Sequence, residues 1–148
     1  MGKALIIFGS TTGNTEITAD LIKETLGENG METEIKNVTD ASVSDLNGGH
    51  DLILLGSPAY GDDEVELQED FEDFYQNMTG FDLSGKKFAV FAPGDSSYEH
   101  FCGTVDFLEE EISGMHGKIV ADGLKIDGDP DDAVDEIKEW SAGLVKSI

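Results

Sequence analysis

The stretch Lys3-Ala4-Leu5-Ile6-Ile7-Phe8-Gly9-Ser10-Thr11-Thr12-Gly13-Asn14-Thr15-Glu16-Ile17 passes from a strand pattern to a helix pattern through one short loop. After Lys3 its first residues are apolar without alternation, the mark of a strand covered on both faces. Gly9 closes the run. Over Asn14–Glu28, Ile17, Leu21, Ile22 and Leu26 then recur at helical spacing, and Gly30 supplies a stop. A buried strand that runs through small residues straight into a helix opens a parallel α/β unit.

The alternation continues outward from this unit. Residues 31–38 alternate in strand fashion, and 51–57 contain the wholly apolar Leu52-Ile53-Leu54-Leu55. Leu67, Phe71, Phe74 and Met78 mark an amphipathic helix. Phe88-Ala89-Val90-Phe91 is a third buried run, Val105, Leu108, Ile112 and Met115 line a helix face, and 118–126 predict one more strand. Val134, Ile137, Trp140, Leu144 and Ile148 form the stripe of a last helix, with Asp131, Asp132, Asp135 and Glu136 in its early turns and Lys146 in its last. Apolar strands need cover on both faces, and the intervening helices supply it. The expectation is an open doubly wound α/β fold, a five-stranded parallel sheet with helices on both faces, formed by residues 1–148 as a single domain.

Charge narrows the function. The chain carries 32 Asp and Glu against nine Lys and no Arg, for a formal charge of −23. Such a polyanion is repelled by nucleic acid and by anionic membranes, and a protein partner is expected to be basic. Without guanidinium forks, any bound phosphate must be held by backbone N–H groups. No apolar run approaches the roughly 18 residues that span a bilayer, so no membrane insertion is expected. The start is too short for a signal peptide. The lone Cys102 excludes an intramolecular disulfide framework and an all-cysteine metal site. That fits a reducing cytoplasm, and the Asn-x-Thr triplets at Asn37 and Asn77 carry no weight as glycosylation sites.

Ligands of such sheets bind beyond the carboxyl ends of the strands. Three loops lie there. In the first, Gly9-Ser10-Thr11-Thr12-Gly13-Asn14-Thr15, successive N–H groups at a helix start form a partly positive nest for an anion, with hydroxyls and the Asn14 amide as further donors. It lacks the lysine of a Walker A loop, the GxGxxG fingerprint, and the Cys and Arg of a phosphatase loop. The competing reading is an ordinary helix cap. The second loop is Ser57-Pro58-Ala59-Tyr60-Gly61-Asp62-Asp63-Glu64 and the third runs from Ala92-Pro93-Gly94-Asp95-Ser96-Ser97-Tyr98 to Phe101-Cys102-Gly103. Each sets a Tyr beside Gly and Asp, and two rings from separate loops can sandwich a planar apolar ring system. Singly, either Tyr reads as a half-buried packing residue.

Ser10-Thr11-Thr12-Gly13-Asn14-Thr15-Glu16, Tyr60-Gly61-Asp62-Asp63 and Gly94-Asp95-Ser96-Ser97-Tyr98, with Glu66-Leu67-Gln68 and Phe101-Cys102-Gly103, resemble the flavodoxins, in particular the short-chain kind of sulfate-reducing bacteria. The resemblance runs end to end. It implies the flavodoxin-like strand order 2-1-3-4-5 and non-covalently bound FMN. Ser10, Thr11, Thr12, Gly13, Asn14 and Thr15 then hold the phosphate. The rest of the implied cofactor-binding set is Ser57, Pro58, Ala59, Tyr60, Gly61, Asp62, Pro93, Gly94, Asp95, Tyr98, Phe101 and Cys102, with no catalytic residue and no metal. Tyr98 stacks on the outer flavin face, and Tyr60 covers the inner one, where relatives usually have Trp. Backbone groups of Gly61, Asp62, Gly94 and Asp95 meet the ring edge, and the Gly61 carbonyl turns toward N5 when an electron arrives. Pro58 stands where relatives often carry a phosphate-touching hydroxyl, and Pro93 where the residue is usually small or Cys.

The implied function is a low-potential one-electron carrier that shuttles between semiquinone and hydroquinone. Its implied partners are basic c-type cytochromes and ferredoxin- or flavodoxin-linked oxidoreductases; it is a cytoplasmic monomer without substrate chemistry of its own. Charge argues the same way. Positions 62 to 73 hold eight acids and no base. By Coulomb's law a charge about 12 Å away in water opposes added negative charge by roughly 0.35 kcal/mol, and six by roughly 2 kcal/mol before screening. For one electron that is roughly 90 mV.

Other readings fit less well. A receiver-type signalling domain needs acids after the first strand and a Lys ending the last, where this chain has Gly9-Ser10 and Asp127. A flavin-dependent reductase needs a substrate pocket or second domain that the sequence does not suggest. Asp127-Gly128-Asp129-Pro130-Asp131-Asp132 lacks the glycine and glutamate of a calcium loop and reads as an acidic helix-start turn. His50, His100 and His116 read as surface residues, and Cys102 as packing.

Overall fold

In the computed structural model of the chain, residues 2–9, 13–57, 69–94, 103–127 and 129–147 are described. The opening unit is β1 (Lys3–Phe8) and α1 (Asn14–Glu28), followed by β2 (Glu32–Asn37) and β3 (Leu52–Gly56). Then come α2 (Glu69–Met78), β4 (Lys87–Gly94), α3 (Gly103–Gly114), the short β5 (Lys118–Ile119), β6 (Leu124–Asp127) and α4 (Val134–Val145). Every pairing is parallel, in the order β2-β1-β3-β4-β5, with β6 also on β4.

Alternate residues of the central strands feed two separate cores, the period of 2 that a pleated sheet imposes. Leu5, Ile7, Ile53, Leu55, Phe88 and Val90 pack with Phe71, Phe74 and Met78 of α2 and with Val105, Leu108 and Ile112 of α3. Ala4, Ile6, Leu52, Leu54, Ala89 and Phe91 pack with Ala19, Ile22 and Leu26 of α1 and with Ile137 and Leu144 of α4. Helices thus cover both faces, as the uninterrupted apolar runs require. On α2, Tyr75 holds the helix against α3: its hydroxyl donates to the Glu111 carboxylate and its ring meets Phe107 edge-on at 5.2 Å. Burial, with Glu111 beside it, pushes the Tyr75 hydroxyl up to about 12.

The structure corrects the sequence reading at several points. The strand expected over 118–126 is broken: Phe88 pairs with Ile119 but Phe91 with Leu124, so three steps along β4 face five along its neighbour. Two extra residues bulge out there. The close approach of α3 explains where: a Cβ on Gly123 meets Val105 Cγ1 at 2.1 Å. The Trp140 indole donates to Asp122 O at 2.8 Å. Glu109 of α3 accepts from the Gly123 N–H, and burial, with Asp106 and Asp122 near, lifts its carboxyl above the usual range.

Asp131 and Asp132 belong not to the last helix but to a 3-10 turn, Pro130–Asp132, in which Asp129 accepts from the Asp131 N–H at 2.9 Å. Lys146 caps α4 from beyond its last turn, and Met115 lies just past α3. Val38 leaves β2 to start the 3-10 turn Val38–Asp40, and a second turn, Val43–Asn47, follows. His50 is a half-buried rather than a fully exposed residue: its side chain is 12% exposed and its Nε2 sits 3.3 Å from Glu34 Oε2. Leu67, His100, Gly128 and Ile148 lie outside the described residues.

Candidate functional site

Because all strands run parallel, their carboxyl ends share one edge of the sheet, and β1, β3 and β4 hand their chain there to the three loops. The Gly9 N–H donates to Gly56 O at 2.9 Å, so the first and second loops leave the sheet from a common clasp. The sequence places Gly9 at the end of the first strand and the start of the first loop, though not among the cofactor-binding residues.

Gly13 precedes α1 at φ 93°, ψ −11°, in the left-handed region that glycine enters without a Cβ clash. Among the described residues no side chain caps the helix, and its first intrahelical bond runs from Ile17 N to Gly13 O at 3.0 Å. Helix geometry therefore aims the N–H groups of Asn14, Thr15 and Glu16 outward along the axis, at the partly positive end of the helix dipole.

Thr15 completes the picture. It is 1% exposed, and its hydroxyl has no hydrogen-bond partner among the described residues. Other buried helix hydroxyls return their proton to the preceding turn: Thr18 to Asn14 O at 2.9 Å, Thr25 to Leu21 O at 3.0 Å and Ser141 to Ile137 O at 2.7 Å. Thr15 lacks that option, because residue 11 precedes the helix. A buried donor without an acceptor is costly unless something else accepts. A phosphate ester does so, offering only acceptor oxygens and negative charge at the end of the helix that favours both. The donors present fit the FMN phosphate.

The other predicted residues that can be placed lie on the same edge. Ser57 follows β3 directly and is fully buried. Gly94 ends β4, and Pro93 precedes it, buried. Pro93 lies past the last β3 pair among the described residues, Gly56 with Phe91, near the end of β4, where a residue without an N–H is tolerated. Gly13, Asn14, Thr15, Ser57, Pro93 and Gly94 thus stand at the ends of the adjacent strands β1, β3 and β4, or at the head of α1. Ser10, Thr11, Thr12, Pro58, Ala59, Tyr60, Gly61, Asp62, Asp95, Tyr98, Phe101 and Cys102 lie outside the described residues. Among the described residues no group of His, Cys, Asp and Glu is arranged to hold a metal, and no helix is long and apolar enough to cross a membrane.

The flavodoxin family profile matches residues 6–140. Across all 148 residues the chain is 47% identical to a flavodoxin of Maridesulfovibrio salexigens and 41% identical to one of Nitratidesulfovibrio vulgaris, and it covers 100% of each. The crystal structure of oxidised flavodoxin 2 from Bacillus cereus superposes with a TM-score of 0.92 at 35% identity, over 99% of both chains. The sheet order, the anion-ready head of α1 and full-length similarity to two sulfate-reducer proteins converge, and the chain belongs to the flavodoxin family of FMN-binding electron carriers.

Proposed function

We propose that residues 1–148 form one FMN-binding domain in which Ser10, Thr11, Thr12, Gly13, Asn14 and Thr15 hold the phosphate. Tyr60 covers the inner face of the flavin ring and Tyr98 the outer. The ring edge meets backbone groups of Gly61, Asp62, Gly94 and Asp95, with Ser57, Pro58, Ala59, Pro93, Phe101 and Cys102 completing the walls. The supporting observation is the buried Thr15 hydroxyl, which has no hydrogen-bond partner among the described residues. Bound FMN supplies one-electron transfer at low potential. The chain orients it, encloses it, and surrounds it with fixed negative charge. Its partners are basic redox proteins, c-type cytochromes and ferredoxin- or flavodoxin-linked oxidoreductases, met in the cytoplasm by a monomer. The formal charge of −23 supports this choice, since it steers cationic surfaces toward the carrier.

Titration of flavin-free protein with FMN is expected to quench flavin fluorescence to a one-to-one end point. Riboflavin, which lacks the phosphate, is expected to bind at least about tenfold more weakly, since one hydrogen bond to a charged group contributes about 1.5–3 kcal/mol. Equal affinity for the two overturns the phosphate assignment.

A further inference from the structure

Near the carboxyl ends of β1, β3 and β4, Phe8, Gly56 and Phe91 stand side by side in register. Their outward positions face the side of the sheet that α1 and α4 cover, the side of Leu52 and Leu54 in β3. Gly56 leaves a notch in this row, and the tip of the Phe91 ring occupies it: a Cβ on Gly56 meets Phe91 Cζ at 2.3 Å, Cε2 at 2.4 Å and Cε1 at 2.8 Å. Phe91 is fully buried. Its ring thus reaches sideways from β4 over the residue whose carbonyl accepts the Gly9 N–H. The head of α1 lies on the same side and at the same end. Its buried residues there are small, Thr15, Thr18 and Ala19, and the helix approaches β4 although β4 lies two strands from β1. Ala19, one turn on from Thr15, shares a core with Phe8 and Phe91.

We propose that Phe91, seated in the Gly56 notch, is a positioning residue for the flavin phosphate: it sets the height of the α1 head over the strand ends, and with it the reach of the Thr15 hydroxyl and of the Asn14, Thr15 and Glu16 N–H groups. Close packing is what lets a ring on that face fix the spacing of sheet and helix. The strand ladder is the stiff side of the contact, because Gly56 is paired with both β1 and β4. The first turn of α1 is the compliant side, with no side-chain cap among the described residues. A methyl on Gly56 therefore lifts the ring toward the helix, and a shorter side chain at position 91 lets the helix settle. Either change misplaces donors whose bonds weaken steeply with distance and angle. The inference rests on the reading that the phosphate is held at the head of α1.

The test is a double-mutant cycle on the 148-residue chain, with FMN and riboflavin titrated separately into flavin-free protein. Lost stability alone lowers both affinities together and leaves their ratio unmoved. Gly56→Ala and Phe91→Leu are each expected to lower the preference for FMN over riboflavin at least about threefold, and the two together to return it to within about twofold of the parent. In the flavin-free single variants the amide resonances of Asn14, Thr15 and Glu16 are expected to shift, and in the pair to move back. Leu83→Ala, in the core on the opposite face, is expected to weaken folding and leave the preference as it is. If Gly56→Ala does not fold, Phe91→Leu with its amide shifts decides the matter. Single variants that keep the parent's preference, or a pair that falls below both, overturn the positioning role while the phosphate site stands. A parent that binds FMN and riboflavin equally overturns the phosphate site and this inference with it.

Discussion

At the amino ends of the strands the Lys3 N–H donates to Asp51 Oδ2 at 2.8 Å and the Asp51 N–H returns a bond to Lys3 O at 2.7 Å, whereas at the carboxyl ends Thr15 keeps a buried hydroxyl with no partner among the described residues. The amino end closes on itself in the same manner elsewhere: Glu32 N bonds Gly2 O, Leu83 N bonds Met115 O, and Lys118 N bonds Lys86 O. It also carries lysines among its acids. Lys3, Lys87 and Lys118 start their strands, and Lys87 and Lys118 pair in register. The two ends obey one rule, that buried polar groups need partners. They differ in their backbone: the amino end closes its own N–H and C=O groups on each other, although the Thr33 hydroxyl and His50 Nδ1 are buried there without a partner among the described residues, whereas at the carboxyl end it is the Thr15 hydroxyl, at the head of a helix, that is buried without one.

The sharpest way to break this contrast is Thr15→Val. FMN affinity is expected to fall by about 1.5–3 kcal/mol, roughly 10- to 150-fold, while the flavin-free protein holds or gains stability on losing a buried unpaired hydroxyl. Flavin titration and urea unfolding read the two effects separately. A variant that binds FMN normally but unfolds more easily gives Thr15 a structural role and ends the contrast.

Asp51→Ala probes the opposite end. The loss of its bond to Lys3 is expected to cost about 0.5–1.5 kcal/mol of stability with FMN affinity unchanged. Impaired FMN binding in this variant means that the two ends are coupled.

Glu109→Gln sharpens the rule at a site that belongs to neither end. Burial raises the folded pKa of Glu109, so ionisation is less favourable in the folded state than in the unfolded chain. That cost is absent below the unfolded value and grows as pH rises through the folded one. Glutamine keeps an acceptor for the Gly123 N–H but carries no charge. Glu109→Gln is expected to raise the melting temperature at pH 7 by a small amount, under about 1 kcal/mol at this half-exposed position, and the gain is expected to vanish near pH 3.5. A gain that persists in acid overturns this account.

The sheet was legible in the sequence because burial on both faces leaves a strand like Leu52-Ile53-Leu54-Leu55 no polar position, and β2 read differently because an edge strand does. The break in the fifth strand was only partly legible. Asp122-Gly123 is a local turn and bulge signal inside the 118–126 run, but the reason a glycine is needed there, Val105 of α3 pressing where Gly123 has no side chain, lies far away in the chain. His50 was misread for a related reason, since its partner Glu34 lies 16 residues away in sequence. At the site, the order of strand, small-residue loop and helix was enough to point to an anion. That Thr15 is the buried, unsatisfied donor follows only once α1 is known to begin at Asn14, which denies Thr15 a carbonyl one turn back.

The cation-free first turn of α1, Asn14 to Ile17, bears on how the carrier survives changes in its surroundings. In the proposed site, a cofactor gripped by dipoles and hydroxyls, inside a shell that repels its phosphate, would be held no less firmly when ions crowd the solution, because they mask the long-range repulsion more than the short-range grip. Encounters between an acidic carrier and a cationic surface loosen under the same conditions. Retention of the flavin and turnover of basic partners would then answer to separate dials, and a shift in ionic strength would retune traffic without emptying the vehicle.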